Sequence, residues 1–169
     1  MKANVMKKQT SIFSIIFLLL AQAGSQASSP SQPASGAQRA VYRTYTNARY
    51  GYSIAYPAHL LTPQGEADNG DGQIFRSRDG QAEMRVYGSQ DLGGGLAAAY
   101  AEAQDGKNVV YKTMKRNWFV VSGYNGEKIF YQKTMIRGGE LKTFTIEYDE
   151  SQKSTYDAVT ARIARSFTG

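Results

Sequence analysis

A single histidine, His59, and no cysteine stand in 169 residues, so acid/base or nucleophilic chemistry has few groups to draw on. A histidine base needs a nucleophile and an orienting acid. Ser53 and the acidic stretch Glu66, Asp68 and Asp71 are the nearby candidates, although no Gly-x-Ser-x-Gly elbow accompanies them. One reading is therefore a small-ligand-binding protein or hydrolase that uses His59 with Glu66, Asp68 or Asp71 in a cleft; the plain alternative is a loop histidine. The same stretch fails as a calcium loop. With Gly72 as the loop glycine, Asn69 and Asp71 fall at ligand positions, but Ala67 takes the first and Arg78 stands where the closing glutamate is needed. Gly93-Gly94-Gly95 could turn backbone N–H groups toward a phosphate, but no Lys-Ser/Thr pair or dinucleotide spacing follows, which favours a flexible helix start. The remaining feature pairs bases with an aromatic: Lys112, Lys115, Arg116 and Trp118, with Arg137 one strand further on. Trp, Tyr and Arg dominate protein interfaces, whereas a Lys-rich strand can equally guard a sheet edge. This cluster is the candidate partner-binding site. No metal or cofactor is expected.

Composition narrows the class further. Without cysteine there is no disulfide framework, zinc–thiolate site, thiol nucleophile, iron–sulfur cluster or lipidated cysteine anchor. Hydrophobic residues at 41% and charged residues at 20% suit an ordinary globular domain.

The N-terminus has the three-part layout of a secretory leader: basic Lys2, Lys7 and Lys8, an apolar run from Ile12 to Leu20, then Ala21-Gln22-Ala23. The apolar run is shorter than the roughly 20 residues a membrane span needs. Residues 1–23 thus read as a signal peptide, with cleavage after Ala23 or Ala27, and 24–40 as a Ser/Ala/Gln/Pro-rich tether. Removing 1–23 takes Lys+Arg from 20 to 17 against 14 Asp+Glu, and the net charge from +6 to +3. So modest a charge does not suggest a nucleic-acid binder. The mature chain has no expected transmembrane span, and the expected compartment is the periplasm, or else the medium.

Residues 41–169 must position the candidates. Tyr52, Ile54 and Tyr56 alternate on a strand that Pro57 stops, and two alternating runs, Gln73–Arg78 and Gln81–Tyr87, flank Asp79-Gly80 as a hairpin whose two turn residues both take positive φ. Leu96, Tyr100 and Ala103 are spaced for a short helix ending by Gly106. A short strand at Asn108–Lys112 then precedes a meander, Asn117–Tyr124, Glu127–Ile136 and Glu140–Asp149, turned at Asn125-Gly126 and Gly138-Gly139. Tyr156, Val159, Ile163 and Phe167 form a helical stripe, with Ser154 and Asp157 spaced for a capping box. This order predicts a single α+β domain, an antiparallel sheet flanked by helices.

Those residues carry a resemblance. Asn47-Ala-Arg-Tyr-Gly-Tyr-Ser-Ile-Ala-Tyr-Pro57 resembles the opening strand of PsbP-like domains, and Phe144-Thr-Ile-Glu-Tyr148 with the helix end Arg162-Ile-Ala-Arg-Ser-Phe167 resembles their close. It covers about residues 45–168 and implies the PsbP/DcrB-type α/β/α sandwich. It also implies a non-catalytic protein that binds other proteins, as accessory subunits, envelope proteins, regulators and chaperones of that superfamily do. No residue set carries over with it. The expectation is an exported, non-enzymatic envelope protein with a protein partner in the cell envelope. A toxin-immunity role is a further alternative.

Overall fold

The structure, a computed structural model, describes residues 41–169. The signal peptide and tether assigned to residues 1–40 lie outside the described residues.

Nine strands and two helices follow in the order β1 (Tyr42–Asn47), β2 (Tyr52–Pro57), β3 (Thr62–Glu66), β4 (Gly72–Arg76), β5 (Ala82–Gln90), α1 (Gly95–Glu102), β6 (Asn108–Met114), β7 (Trp118–Asn125), β8 (Lys128–Arg137), β9 (Glu140–Asp149) and α2 (Lys153–Ser166). β3 to β9 form one antiparallel sheet ordered β3-β4-β5-β9-β8-β7-β6, and β1 and β2 form a separate two-stranded ribbon. Gly138 and Gly139 both take positive φ between paired Arg137 and Glu140, the two-residue turn whose twist suits a hairpin. At Asp79-Gly80 only Gly80 has positive φ, and its N–H donates to Ser77 O. A wider turn closes this hairpin, with Asp79 accepting from Ser77 Oγ and Gln81 N.

Alternation along the strands separates the two sheet faces. One face carries Met84, Val86, Phe144 and Ile146, all at most 1% exposed, beneath the ribbon's Tyr52, Ile54 and Tyr56 and beneath Tyr156, Ile163 and Phe167 of the C-terminal segment. Four of these six covering residues are aromatic, and Phe167 meets Tyr52 and Phe144 edge-on. The other face packs Phe119, Val121 and Phe130 beneath Leu96 of the short helix α1 and Ala103, which caps its C-terminus. α1 contacts β7 and β8. On the same face β5 and β9 present Arg85, Tyr87, Thr143 and Thr145 beside it.

The capping box at Ser154 and Asp157 does not form. A 3-10 turn at Glu150–Gln152 leads straight into α2, whose N-cap Gln152 makes no side-chain cap bond. Asp157 instead accepts from Tyr148 Oη and Lys153 Nζ, both at 2.8 Å. Partial burial works against its charge, but those two bonds outweigh it and hold the Asp157 carboxyl below the usual carboxylate range. Glu83 is shifted the same way: burial opposes ionisation, and Arg76 and Arg85 overcome it. A carboxylate with a depressed folded-state pKa contributes stability above its unfolded pKa and loses it as pH falls through the folded value. Tm should therefore drop on acidification from about pH 5 to pH 3. The double variant Glu83→Gln/Asp157→Asn should flatten that limb in thermal melts; an unchanged pH profile would contradict the assignment.

Candidate functional site

The edge strand β6 begins at Asn108, and its apolar run Val109-Val110-Tyr111 does not alternate, so no single face of a strand can bury it. The register slips between Val109 and Tyr111, a β-bulge that turns the chain outward. Val109 is half-buried against α1's cluster, while Val110, Tyr111 and Met114 are 70%, 56% and 41% exposed. They make up half of the large hydrophobic residues exposed among the described residues. Lys115 N donates to Trp118 O at 2.8 Å and closes the β6–β7 hairpin. Because inward and outward N–H groups alternate along an antiparallel strand, those of Lys112 and Met114 point away from β7, on a side where β6 pairs with no other strand among the described residues. The strand offers unpaired donors and acceptors, exposed apolar side chains, and three cations at its end.

This geometry divides the basic–aromatic cluster. Lys112 pairs with Val121 on the α1 face, where its Nζ donates to Gln104 Oε1 at 2.9 Å. Trp118 pairs with Met135 on the opposite face and is half-buried. Arg137, two residues beyond Met135 along β8, lies on Trp118's face, and Lys115 and Arg116 occupy the exposed turn between the strands. Lys115, Arg116, Trp118 and Arg137 thus share a corner of the sheet, while Lys112 joins Val110, Tyr111 and Met114 along the edge. The sequence reading omitted those three apolar residues. For Val110 and Tyr111 the signal is the unalternating Val-Val-Tyr run, which cannot be wholly buried from one side; Met114 lies outside that run.

The residues assigned to the alternative pocket are not brought together. His59 is exposed beside Ser77, Asp79 and Thr155, and makes no hydrogen bond or ion pair among the described residues. Glu66 lies at the end of β3, where its Oε1 accepts from Tyr45 Oη at 2.7 Å and Asn47 Nδ2 at 3.0 Å. Asp71 accepts from Asn69 Nδ2, and Asp68 is exposed in the same loop. Arg49 donates to Asn69 O and Asn47 to Gly70 O, so the loop is docked on the ribbon and its polar groups serve structure. The desolvated ribbon residue Tyr52, hydrogen-bonded to Asp71 O, has its phenol pushed well above the ordinary range by burial and the neighbouring Tyr45. The glycine run is likewise occupied: Asp91 Oδ1 accepts from the N–H groups of Gly93 at 3.0 Å and Gly95 at 2.8 Å. These are donors that a phosphate would need.

No family model matches the chain, and no curated protein matches it. Among solved structures, the chain is similar to the solution structure of cyanobacterial PsbP (CyanoP) from Synechocystis sp. PCC 6803, with a TM-score of 0.56 and 16% identity over 83% of this chain and 99% of that one. A crystal structure from Bacteroides thetaiotaomicron matches at a TM-score of 0.49 and 9% identity, over 75% of this chain and 47% of that one. The domain has a PsbP-like α+β fold. Among the described residues, no helix is long and apolar enough to cross a membrane.

Proposed function

We propose that this is an exported, non-enzymatic protein of the cell envelope, in the periplasm, that binds a partner protein by accepting one of its strands along β6. The observation that carries the reading is the β6 edge, unpaired among the described residues, with Val110, Tyr111 and Met114 exposed on it. Strand addition draws affinity from main-chain hydrogen bonds and specificity from alternate side chains. Lys112, Lys115 and Arg116 favour an incoming segment that carries carboxylates, since opposite charges across neighbouring strands attract and speed encounter. The leader-like residues 1–23 support export, and the family resemblance supports a binding role rather than chemistry. Among the described residues, His59, Glu66, Asp68 and Asp71 are engaged elsewhere or exposed and form no acid/base pair with one another.

The test is affinity purification of the tagged chain from its own envelope fraction, followed by hydrogen exchange on the recovered complex. Partner binding should protect the amides of Lys112 and Met114. The charge-reversed variant Lys112→Glu/Lys115→Glu/Arg116→Glu should reduce recovery at least about tenfold with an unchanged Tm. Met114→Pro, which removes one outward N–H at an edge position that tolerates proline, should act in the same direction. Trp118→Ala is a poorer probe, because its half-buried side chain also supports the fold. Undiminished recovery by both edge variants would overturn the reading.

A further inference from the structure

On the sheet face that carries α1, the central strands β5, β9 and β8 present two polar rows, Tyr87–Thr143–Thr134 and Arg85–Thr145–Gln132. The opposite face of the same strands is a dry core of Val86, Phe144, Met84 and Ile146. α1 covers β7 and β8, and the face of an antiparallel sheet beside its helix is commonly solvated and polar, but Thr134 and Thr143 are buried here instead of facing open water. Side-chain choices that work against local packing concentrate at functional sites.

The two rows floor a cleft of about 440 Å³ walled by Glu102 and Lys107, within the size range of small-molecule sites. Thr134 and Thr143 are 1% and 4% exposed, and their hydroxyls hydrogen-bond each other at 2.9 Å. Gln132 Nε2 donates to Thr134 at 3.2 Å. Gln132 Oε1 and the Thr145 hydroxyl have no protein partner among the described residues. Arg85 gives its Nε to Glu83, which leaves the terminal guanidinium donors. Tyr87 stands 38% exposed at the rim.

We propose that this cleft binds a neutral saccharide of one or two rings. A sugar hydroxyl is both donor and acceptor, as are the threonine hydroxyls and the glutamine amide. Two cations, Arg85 and Lys107, and one carboxylate, Glu102, line the cleft, and Arg85 is already paired with Glu83 outside the lining, so little cationic excess is left to select an anion. The Tyr87 ring supplies an apolar surface for the C–H face of a pyranose. Hydrolysis of a glycosidic bond usually uses two carboxyl groups across it, and among the described residues Glu102 is the one carboxylate that lines the cleft, so the arrangement suits holding a ligand.

The purified full chain, labelled with nitrogen-15, is titrated with cellobiose, maltose and N,N′-diacetylchitobiose, and separately with inorganic phosphate. At least one disaccharide should shift the amide resonances of Gln132, Thr143 and Thr145 with a Kd of about 1 mM. The double variant Tyr87→Leu/Thr145→Val, which keeps a sizeable side chain at both positions, should weaken that binding about tenfold. Thr145→Val alone, which exchanges one unpartnered hydroxyl for a methyl, should weaken it less and leave Tm unchanged. The proposal is overturned if no disaccharide shifts these resonances at about 50 mM. It is equally overturned if the double variant titrates like the parent chain, or if phosphate moves the same amides more than any disaccharide does.

Discussion

Replacing Asn47 by alanine should lower the unfolding free energy by about 3 kcal/mol, read as a shift of the urea midpoint with an unchanged slope. Asn47 has no solvent exposure. The two hydrogens of its Nδ2 serve Gly70 O at 2.9 Å and, shared between them, Tyr45 Oη and Glu66 Oε1, each at 3.0 Å, and its Oδ1 accepts from Tyr50 N at 2.9 Å. One side chain therefore ties the turn of the ribbon to the end of β3 and to the loop beyond it. Alanine leaves the Tyr50 N–H and the Gly70 carbonyl without their partner in a site with little water, and each such orphan costs about 1–3 kcal/mol. Asn47→Asp should cost less than alanine because it keeps the acceptor for Tyr50 N, but it sets a second carboxylate beside Glu66. A midpoint within experimental error of the parent for Asn47→Ala would mean that water replaces these bonds.

Phe144→Ala should cost more, roughly 3–5 kcal/mol, a large share of the total stability of a domain this size. Phe144 is fully buried in the middle of the sheet, with its ring stacked on Tyr131 at 5.6 Å and edge-on to Phe167 at 5.4 Å. It fixes the C-terminal segment to the sheet together with the Thr168–Ser53 bridge, which joins that segment to the ribbon. The vacated volume lies between rigid strands, so the surroundings collapse into it poorly. Burial pushes the Tyr131 phenol up to about 12, and loss of the stacked ring should bring its alkaline titration back toward the ordinary value. Urea denaturation with an ultraviolet pH titration checks both; a loss below about 1.5 kcal/mol would show that the core repacks.

Local pattern made the meander, both helices and the buried stripe Tyr156, Ile163 and Phe167 legible, because each buries one face and that face sets a period in the sequence. β1 and β3 were not legible for the same reason. The side chains of Thr62, Pro63, Gln64, Gly65 and Glu66 are all exposed, and β1 buries only Asn47 fully. Both strands are held through backbone pairing and through side-chain bonds to distant residues, which leave no periodic trace. The division of Lys112 from Trp118 depends on the turn at Lys115–Trp118. A difference of one residue in that turn would have put them on one face.

By its own composition and spacing, the amino-acid sequence determined that the protein is a cysteine-free, modestly basic α+β domain behind a leader-like segment, with one histidine to offer. Those properties are additive or local. Which groups meet was decided only by the tertiary structure: Glu66 serves Asn47 rather than His59, β6 lies at an edge and not inside the sheet, and α1 leaves a polar cleft over β5 and β9. Strand order and helix placement depend on how distant surfaces pack, and the free energy that selects them comes from contacts spread across the whole chain.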